Sequence, residues 1–146
     1  LLGALLIYAI VKQIEEYHLK KDPKLHELRE IFSKFFNRDK YWGGKLQALN
    51  KRNIVNETDL LRGNKSYTIN KERVFLCLRD ENGEYYPLNM LIYVLAHEYS
   101  HVICESIGHT DEFHAIFEEL LVELADAGIY DPSKPIDQDY CQHGDD

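Results

Sequence analysis

Residues 97–101 read His-Glu-Tyr-Ser-His, and they follow an unbroken apolar run at residues 90–96. The run indicates a helix, and we expect Asn89 to be its N-cap, accepting a hydrogen bond from one of the first free amides. Residues four apart lie on one helical face, so His97 and His101 can direct their imidazole nitrogens at the same ion. The stretch therefore predicts two metal ligands on one helix turn.

Glu98 lies one residue to the side of the two histidines, where its carboxylate can take a proton from a metal-bound water instead of binding the metal. Catalytic zinc usually has three protein ligands and keeps the fourth position for water. We expect His109 to be the third ligand, because Gly108 can end the first helix in a left-handed conformation and turn the chain back toward the metal. The predicted zinc ligands are thus His97, His101 and His109, with Glu98 as general base.

Other side chains downstream could supply the third ligand instead. One arrangement of zinc sites takes a Glu from a following helix, and the competitors in this chain are His114, Glu118, Glu119 and Glu123. Thr110 is the predicted N-cap of that following helix, which carries an apolar stripe at helical spacing. We expect this second helix to pack beside the first.

Residues 108–113 read Gly-His-Thr-Asp-Glu-Phe. They resemble the Gly-His-x-x-x-Phe element that follows His-Glu-x-x-His in SprT-like and WLM-type zinc metallopeptidases. Residues 127–130 and 135–141 are similar to the tails of metallopeptidase-like proteins of large DNA viruses. The resemblance covers roughly the stretch from Val74 to Cys141.

The resemblance implies a small α+β zincin-like domain that hydrolyses peptide bonds of a polypeptide substrate. His97, His101 and His109 would hold the zinc, and Glu98 would activate the bound water. A viral source would make capsid or other virion proteins candidate partners. The alternative from another class is a structural or interaction protein, such as a membrane-tethered virion component, that keeps a metallopeptidase-like fold without its activity.

Two related classes fit less well. A metzincin would need Gly at position 104 and His at position 107, but this chain has Cys104 and Ile107, and its single methionine precedes the motif. DNA-directed relatives carry basic segments, whereas here 25 acidic residues outnumber 17 basic ones and the net charge is -8. Because non-specific DNA binding needs Lys and Arg to neutralise phosphates, we expect no direct contact with nucleic acid.

Two runs rich in β-branched and aromatic residues, 66–70 and 73–79, precede the helix and predict strands. The turn signal at residues 80–83 predicts a hairpin with a short return strand at 84–86, so we expect a short, mostly antiparallel sheet. In zincins the sheet edge beside the active-site helix receives the substrate as an added strand. By resemblance 73–79 or 84–86 would form that edge; the alternative is that both strands only cover the helix.

The first third of the chain is helical in pattern. Pro23 fits the first turn of an amphipathic helix that extends to Phe36, and residues 45–50 predict a short helix. Residues 1–11 are almost wholly apolar, but a membrane-spanning helix needs about 20 such residues. We expect a segment at 1–22 that is the end of a membrane anchor; a core helix and the remnant of a signal peptide are the alternatives.

Composition agrees with one catalytic domain at 23–146, since 146 residues with 45% hydrophobic content can bury a single core. The tail from Asp131 is predicted to be extended on the surface. Cys77, Cys104 and Cys141 show no paired spacing, so free cysteines in a reducing compartment are expected, with membrane attachment or a virion as the location. Cys141 and His143 are too few to form a metal site.

Overall fold

The computed structural model describes residues 1–141 and combines helices with a small three-stranded sheet, so the predicted α+β class is confirmed. The elements in chain order are α1 Leu2–Lys20, α2 Pro23–Phe36, a 3₁₀-helix Gly44–Asn50, α3 Ile54–Glu57, β1 Asp59–Arg62, β2 Tyr67–Ile69, β3 Arg73–Leu76, α4 Leu88–Ile103 and α5 Asp111–Asp126.

The sheet has the strand order β1-β3-β2, which puts β3 in the centre. β2 is antiparallel to β3, as predicted, but β1 pairs with β3 in parallel, with Leu60 opposite Val74. The expectation of a mostly antiparallel sheet is therefore wrong for one of the two pairings. The four residues of β1 are too few to show a strand period, and a parallel partner need not be joined by a recognisable turn.

The predicted sheet edge is also wrong. Residues 73–76 form the central strand, and residues 84–86 contribute only an isolated bridge between Arg79 and Tyr85. The edge strand on the α4 side is β2, whose residue Thr68 contacts α4. The hairpin turn at residues 80–83 exists, but the chain leaves the sheet after the bridge at Tyr85, since Pro87 is the N-cap residue of α4, which begins at Leu88.

Helix α4 is the centre of the core. Residues on almost every side of it are buried, and it contacts the sheet, α3 and α5. Tyr99 is fully buried and packs edge-on against Phe32 of α2, with ring centroids 5.2 Å apart. Since aromatic pairs of this geometry add to the gain from apolar burial, α4 is held rigidly between α2 and the sheet.

Of the predicted helix starts, that of α2 is confirmed and that of α4 is wrong. Asp22 caps α2 by accepting from the amide of Lys24 at 2.9 Å, and Pro23 occupies the first turn as predicted. Asn89 does not cap α4, which begins at Leu88 after Pro87. Its side-chain amide instead exchanges two hydrogen bonds with the backbone of Asp131, at 2.8 and 3.1 Å. The side chain of Asn89, which was predicted to cap α4, therefore binds the segment that follows α5 instead.

Helix α1 lies on the surface with none of its residues buried, so the alternative that it is a core helix is wrong. Its second half is attached to the sheet by ion pairs from Glu16 to Arg73 and from Lys20 to Asp59. Within the described residues, no helix combines the length and the apolar composition needed to cross a bilayer.

The tail predicted to lie extended on the surface is fastened at its end. Cys141 is buried and forms a disulfide with Cys77, next to β3. The hydroxyl of Tyr140 donates to the carbonyl of Cys77 at 2.6 Å and bonds the hydroxyl of Ser66 at 2.6 Å. The prediction of three free cysteines is therefore wrong, because only the fold brings together residues 64 positions apart.

Cys104 remains a free, buried cysteine. The reducing compartment predicted for the chain rests on unpaired cysteines, so the disulfide removes that argument for it. His143, which was considered together with Cys141 as a metal ligand, lies outside the described residues.

Candidate metal centre

Three imidazoles converge where α4 meets the loop that follows it. The Nε2 atom of His109 lies 3.2 Å from the Nε2 atom of His97 and 3.2 Å from that of His101. One ligand atom from each of the three residues lies within 4.8 Å of the others, and within residues 1–141 no other group of this kind forms. His114, the nearest competitor, is not in the cluster, and its ring centroid is 6.4 Å from that of His109.

The spacing of the three nitrogens suits a tetrahedral metal ion. Zinc binds imidazole nitrogen at about 2.0–2.1 Å, so two nitrogens at tetrahedral corners are about 3.3–3.4 Å apart. The two separations of 3.2 Å are close to this value. Three neutral nitrogen donors also fit other divalent ions of the first transition row, so the donor set defines a class of metal rather than one element.

The loop at residues 104–110 brings His109 to the two helix-borne histidines. Sequence predicted Gly108 as the residue that ends α4, but α4 ends at Ile103 and Cys104 is already extended, with φ -71° and ψ 133°. Gly108 has φ +87°, a left-handed conformation in which it turns the chain inside the loop instead. The correction concerns the helix end; the turn toward the site does occur at this glycine.

Thr110 is the N-cap of α5, as predicted, and its hydroxyl accepts from the amide of Phe113 at 3.2 Å. Phe113 is fully buried beneath the three imidazoles. Its ring stacks on His101 with a centroid distance of 4.2 Å and meets His97 and His109 edge-on at 4.9 and 5.1 Å. One aromatic side chain therefore restricts the orientation of all three candidate ligands.

The three glutamates that competed for the third ligand position are engaged elsewhere or exposed. Glu119 accepts from the amide of Lys45 at 2.8 Å, and Glu123 pairs with Lys40, so both hold the segment before and at the 3₁₀-helix. Glu118 is exposed and borders a separate cleft beside Trp42. None of the three belongs to the histidine cluster.

Glu98 is only 4% exposed, although it lies next to a ligand candidate on a cleft. Burial raises the pKa of its carboxyl to about 7, and a hydrogen bond from Thr68 opposes that shift. The Thr68 hydroxyl lies 2.8 Å from Oε1 of Glu98. A carboxylate with a pKa near neutrality is suited to accepting and releasing a proton at physiological pH.

The helix-borne histidines have the opposite shift. The pKa of His97 and that of His101 are both lowered to about 4; burial is the largest cause, neighbouring imidazoles contribute to both shifts, and the charge of Lys71 contributes to that of His101. Both rings are therefore neutral near pH 7. The neutral imidazole is the form that binds a metal ion.

The cluster opens onto a cleft of about 570 Å³ between two walls. One wall is β2 with the turn that follows it, and the other is the loop at residues 104–110. Sequence reasoning missed two residues of the first wall, Thr68 and Lys71. Thr68 lies in a strand that was predicted, but nothing in its spacing related it to Glu98, and Lys71 carries no local signal at all.

Comparison with known proteins finds viral relatives that match part of the chain. It is 46% identical over 105 residues to "Uncharacterized protein 136R" of Invertebrate iridescent virus 6, which is 70% of this chain and 59% of that protein. It is 43% identical over 99 residues to "Uncharacterized protein 042R" of Invertebrate iridescent virus 3, 67% of this chain and 62% of that protein. "Uncharacterized protein R325" of Acanthamoeba polyphaga mimivirus is 37% identical over 67 residues, 44% of this chain and 34% of that protein.

These three relatives are all viral proteins, which confirms the expected viral connection and no more than that. The chain spans about three fifths of the length of the two iridescent virus proteins. No protein-family profile matches the chain. No solved structure matches it either.

Proposed function

We propose that this chain carries the catalytic domain of a zinc-dependent peptidase of the zincin kind, similar to SprT-like and WLM-type enzymes. The observation that carries the proposal is the pair of 3.2 Å separations that join the imidazole nitrogens of His97, His101 and His109. Three histidines that only packed together would have no reason to direct one nitrogen each at a common point. Ligands around an ion must do so.

His97 and His101 would hold the metal from the rigid α4, and His109 would complete the set from the loop. Zinc bound there would polarise the scissile carbonyl and bring the pKa of a bound water down to about 7. The three rings rest on buried Phe113, so their orientation is set before a metal arrives. Such preorganisation is what a catalytic metal site requires of its protein.

Glu98 would act as the general base of the reaction. Its Oε1 is held by the Thr68 hydroxyl at 2.8 Å, which leaves Oε2 free of that contact to accept a proton from water on the cleft side. With its pKa raised to about 7 by burial, the same carboxyl can then return the proton to the leaving amine. One residue can thus serve both proton transfers of peptide hydrolysis.

The edge strand β2 is the element that would bind a polypeptide substrate. Tyr67 and Thr68 line the cleft, and β2 pairs with β3 on one side only among the described strands. An extended peptide laid along the other side would add a strand to the sheet and present its backbone to the metal. Main-chain hydrogen bonds of this kind give affinity with little demand on substrate sequence.

The experiment compares hydrolysis of casein by the wild type with hydrolysis by Glu98→Gln. We expect the variant to lose about 10²–10⁴-fold in rate, the range typical of a general base, while it retains its zinc content. Glu118→Gln, an exposed glutamate on α5, is the matched control and should leave the rate unchanged.

Removal of the metal with a chelator should abolish the activity, and added zinc should restore it. Equal rates for the wild type and Glu98→Gln would exclude the proposed peptidase activity. Zinc binding without hydrolysis would then favour the alternative, a structural or interaction protein of the virus with a metallopeptidase-like fold.

A further inference from the structure

Lys71 lies in the turn between β2 and β3, on the wall of the cleft opposite His109. Its ammonium group donates to three backbone carbonyls: that of His101 at 2.5 Å, that of Cys104 at 2.5 Å and that of Ser106 at 3.2 Å. An ammonium group has three hydrogens to donate. All three hydrogens therefore bond the segment that runs from the end of α4 into the loop at residues 104–110, called the metal loop below.

The three carbonyls belong to the end of α4 and to the loop that follows it. Cys104 is also joined to α4 by its amide, which donates to the Ser100 carbonyl at 2.9 Å, and its sulfur lies 3.1 Å from the Ser106 hydroxyl. His101 lies in the last turn of α4, Cys104 is the residue at its end, and Ser106 is in the loop. The last carbonyls of a helix have no partner within the helix, and a positive charge there is favourable. Lys71 therefore both caps α4 and ties its end to the loop.

The loop continues from this tie to the third ligand candidate. The hydroxyl of Ser106 lies 2.7 Å from the hydroxyl of Thr110, which caps α5 immediately after His109. His109 is thus held between two anchored positions, Ser106 and Thr110. The first of these anchors is bonded to Lys71.

The backbone at Lys71 is itself in an uncommon conformation. Asn70 and Lys71 have φ values of +52° and +57°, in the left-handed region that residues with a side chain rarely adopt. Such a conformation is unfavourable for a residue with a side chain and persists only where the surroundings enforce it. The three hydrogen bonds of the ammonium group are contacts of the kind that can enforce it.

We propose that Lys71 is a positioning residue of the metal centre, which sets His109 relative to His101 by fastening the loop to the end of α4. The inference rests on the proposed zinc site. Two effects of the side chain oppose each other here. The positive charge of Lys71 near the three histidines weakens the binding of the zinc ion. Its hydrogen bonds to the end of α4 and to the loop hold His109 in place and so strengthen zinc binding, and the proposal is that this second effect is the larger.

The sign of the change in zinc affinity therefore tests the inference. We expect Lys71→Met to weaken zinc binding about 10-fold or more, in the range found when partners behind metal ligands are removed. Lys51→Met, which removes an exposed lysine at the end of the 3₁₀-helix, is the matched control and should change nothing. The measurement is competition for zinc against a chromophoric chelator at fixed pH.

A double-mutant cycle shows whether Lys71 acts through His109. In a His109→Ala background, Lys71→Met should have little further effect on zinc affinity, because the ligand that it positions is already absent. Circular dichroism of the metal-free proteins checks that each variant is folded. If Lys71→Met does not fold, Lys71→Gln takes its place, with the same expected sign.

Unchanged or tighter zinc binding by Lys71→Met would overturn the inference, and so would an equal loss in both backgrounds. Neither result would affect the proposed site, provided that the wild type binds zinc and His109→Ala weakens it. Failure of the wild type to bind zinc would instead remove the proposed function together with the inference, so the two failures are distinguishable.

Discussion

The three candidate ligands differ in how firmly the protein holds them. His97 and His101 are half-buried on a helix whose other residues fill the core, whereas His109 is exposed and comes from a loop. Burial keeps the first two in place with or without a metal. His109 depends on its edge-on contact with Phe113 and on the anchors at the two ends of its loop.

Replacement of His109, the candidate ligand in the loop, should strongly lower the affinity for the metal. We expect His109→Ala to weaken zinc binding by more than about 100-fold, which exceeds the loss usual for a residue behind the ligands, because one of three donors is gone. His114→Ala is the control, since it removes a histidine five residues away that is not in the cluster.

Zinc content after dialysis and chelator competition measure both variants. A larger loss for His114→Ala than for His109→Ala would mean that His114 completes the site and that the loop rearranges when metal binds.

At the level of elements, the junction between the metal loop and α5 combines several contacts in one residue, Thr110. Thr110 ends the loop, caps the helix through its hydroxyl and contacts Ser106 through the same oxygen. Asp111 and Glu112 follow in the first turn, where negative charge is favourable at the positive end of the helix dipole. One side chain therefore contributes both to the start of α5 and to the placement of His109.

Removal of this cap should cost stability. Thr110→Ala is expected to lower the free energy of unfolding by about 1 kcal/mol, because an amide of the first turn of α5 loses its acceptor. Urea denaturation of the metal-free protein measures the change, and Thr110→Ser should retain most of the stability. If the serine variant were as unstable as the alanine variant, the methyl group of Thr110 and not its hydroxyl would be the stabilising part.

The elements were not equally visible in the sequence. The bounds of α2 and the N-cap of α5 were predicted correctly, since an apolar stripe at helical spacing beside a capping residue or a proline is a local signal. The strand β1 was missed, and the segment that contains β3 was one of two candidates for the sheet edge although β3 is central. Which strand lies in the middle depends on pairing partners that no segment specifies alone.

On the scale of the whole molecule, the disulfide between Cys77 and Cys141 closes the chain around the domain. It joins the end of β3 to a tail that has passed α4 and α5, over a sequence separation of 64 residues. A bond of this span restricts the unfolded chain far more than the folded one. It also holds Tyr140 against Ser66, which precedes the edge strand β2.

Reduction of the disulfide should therefore destabilise the protein. We expect a reducing agent to lower the free energy of unfolding of the wild type by about 2–4 kcal/mol. Cys141→Ser should show the lower stability from the start and should not respond to the reducing agent. Thermal unfolding followed by circular dichroism, with and without reductant, makes the comparison. An unresponsive wild type would show that the bond does not form in solution.

The sequence by itself determined the chemistry of the candidate site. His97, Glu98 and His101 lie within one helix turn, so their relation follows from the helix period. Gly108 before His109 made His109 the first choice of third ligand over His114 and three downstream glutamates, and the structure brings His109 to the pair. The corrections to α4 moved its start and its end by a few residues without changing this geometry.

Only the tertiary structure decided what surrounds those residues. Three contacts join segments that lie between 30 and 64 positions apart: the hydrogen bond from Thr68 to Glu98, the hydrogen bond from Lys71 to the end of α4, and the disulfide between Cys77 and Cys141. The side chains at these positions are ordinary for a strand, a turn and a tail. The roles of Thr68 and Lys71 arise because β2 lies beside α4, and that of Cys77 arises because the tail after α5 returns to the end of β3. No local period of the chain encodes either arrangement.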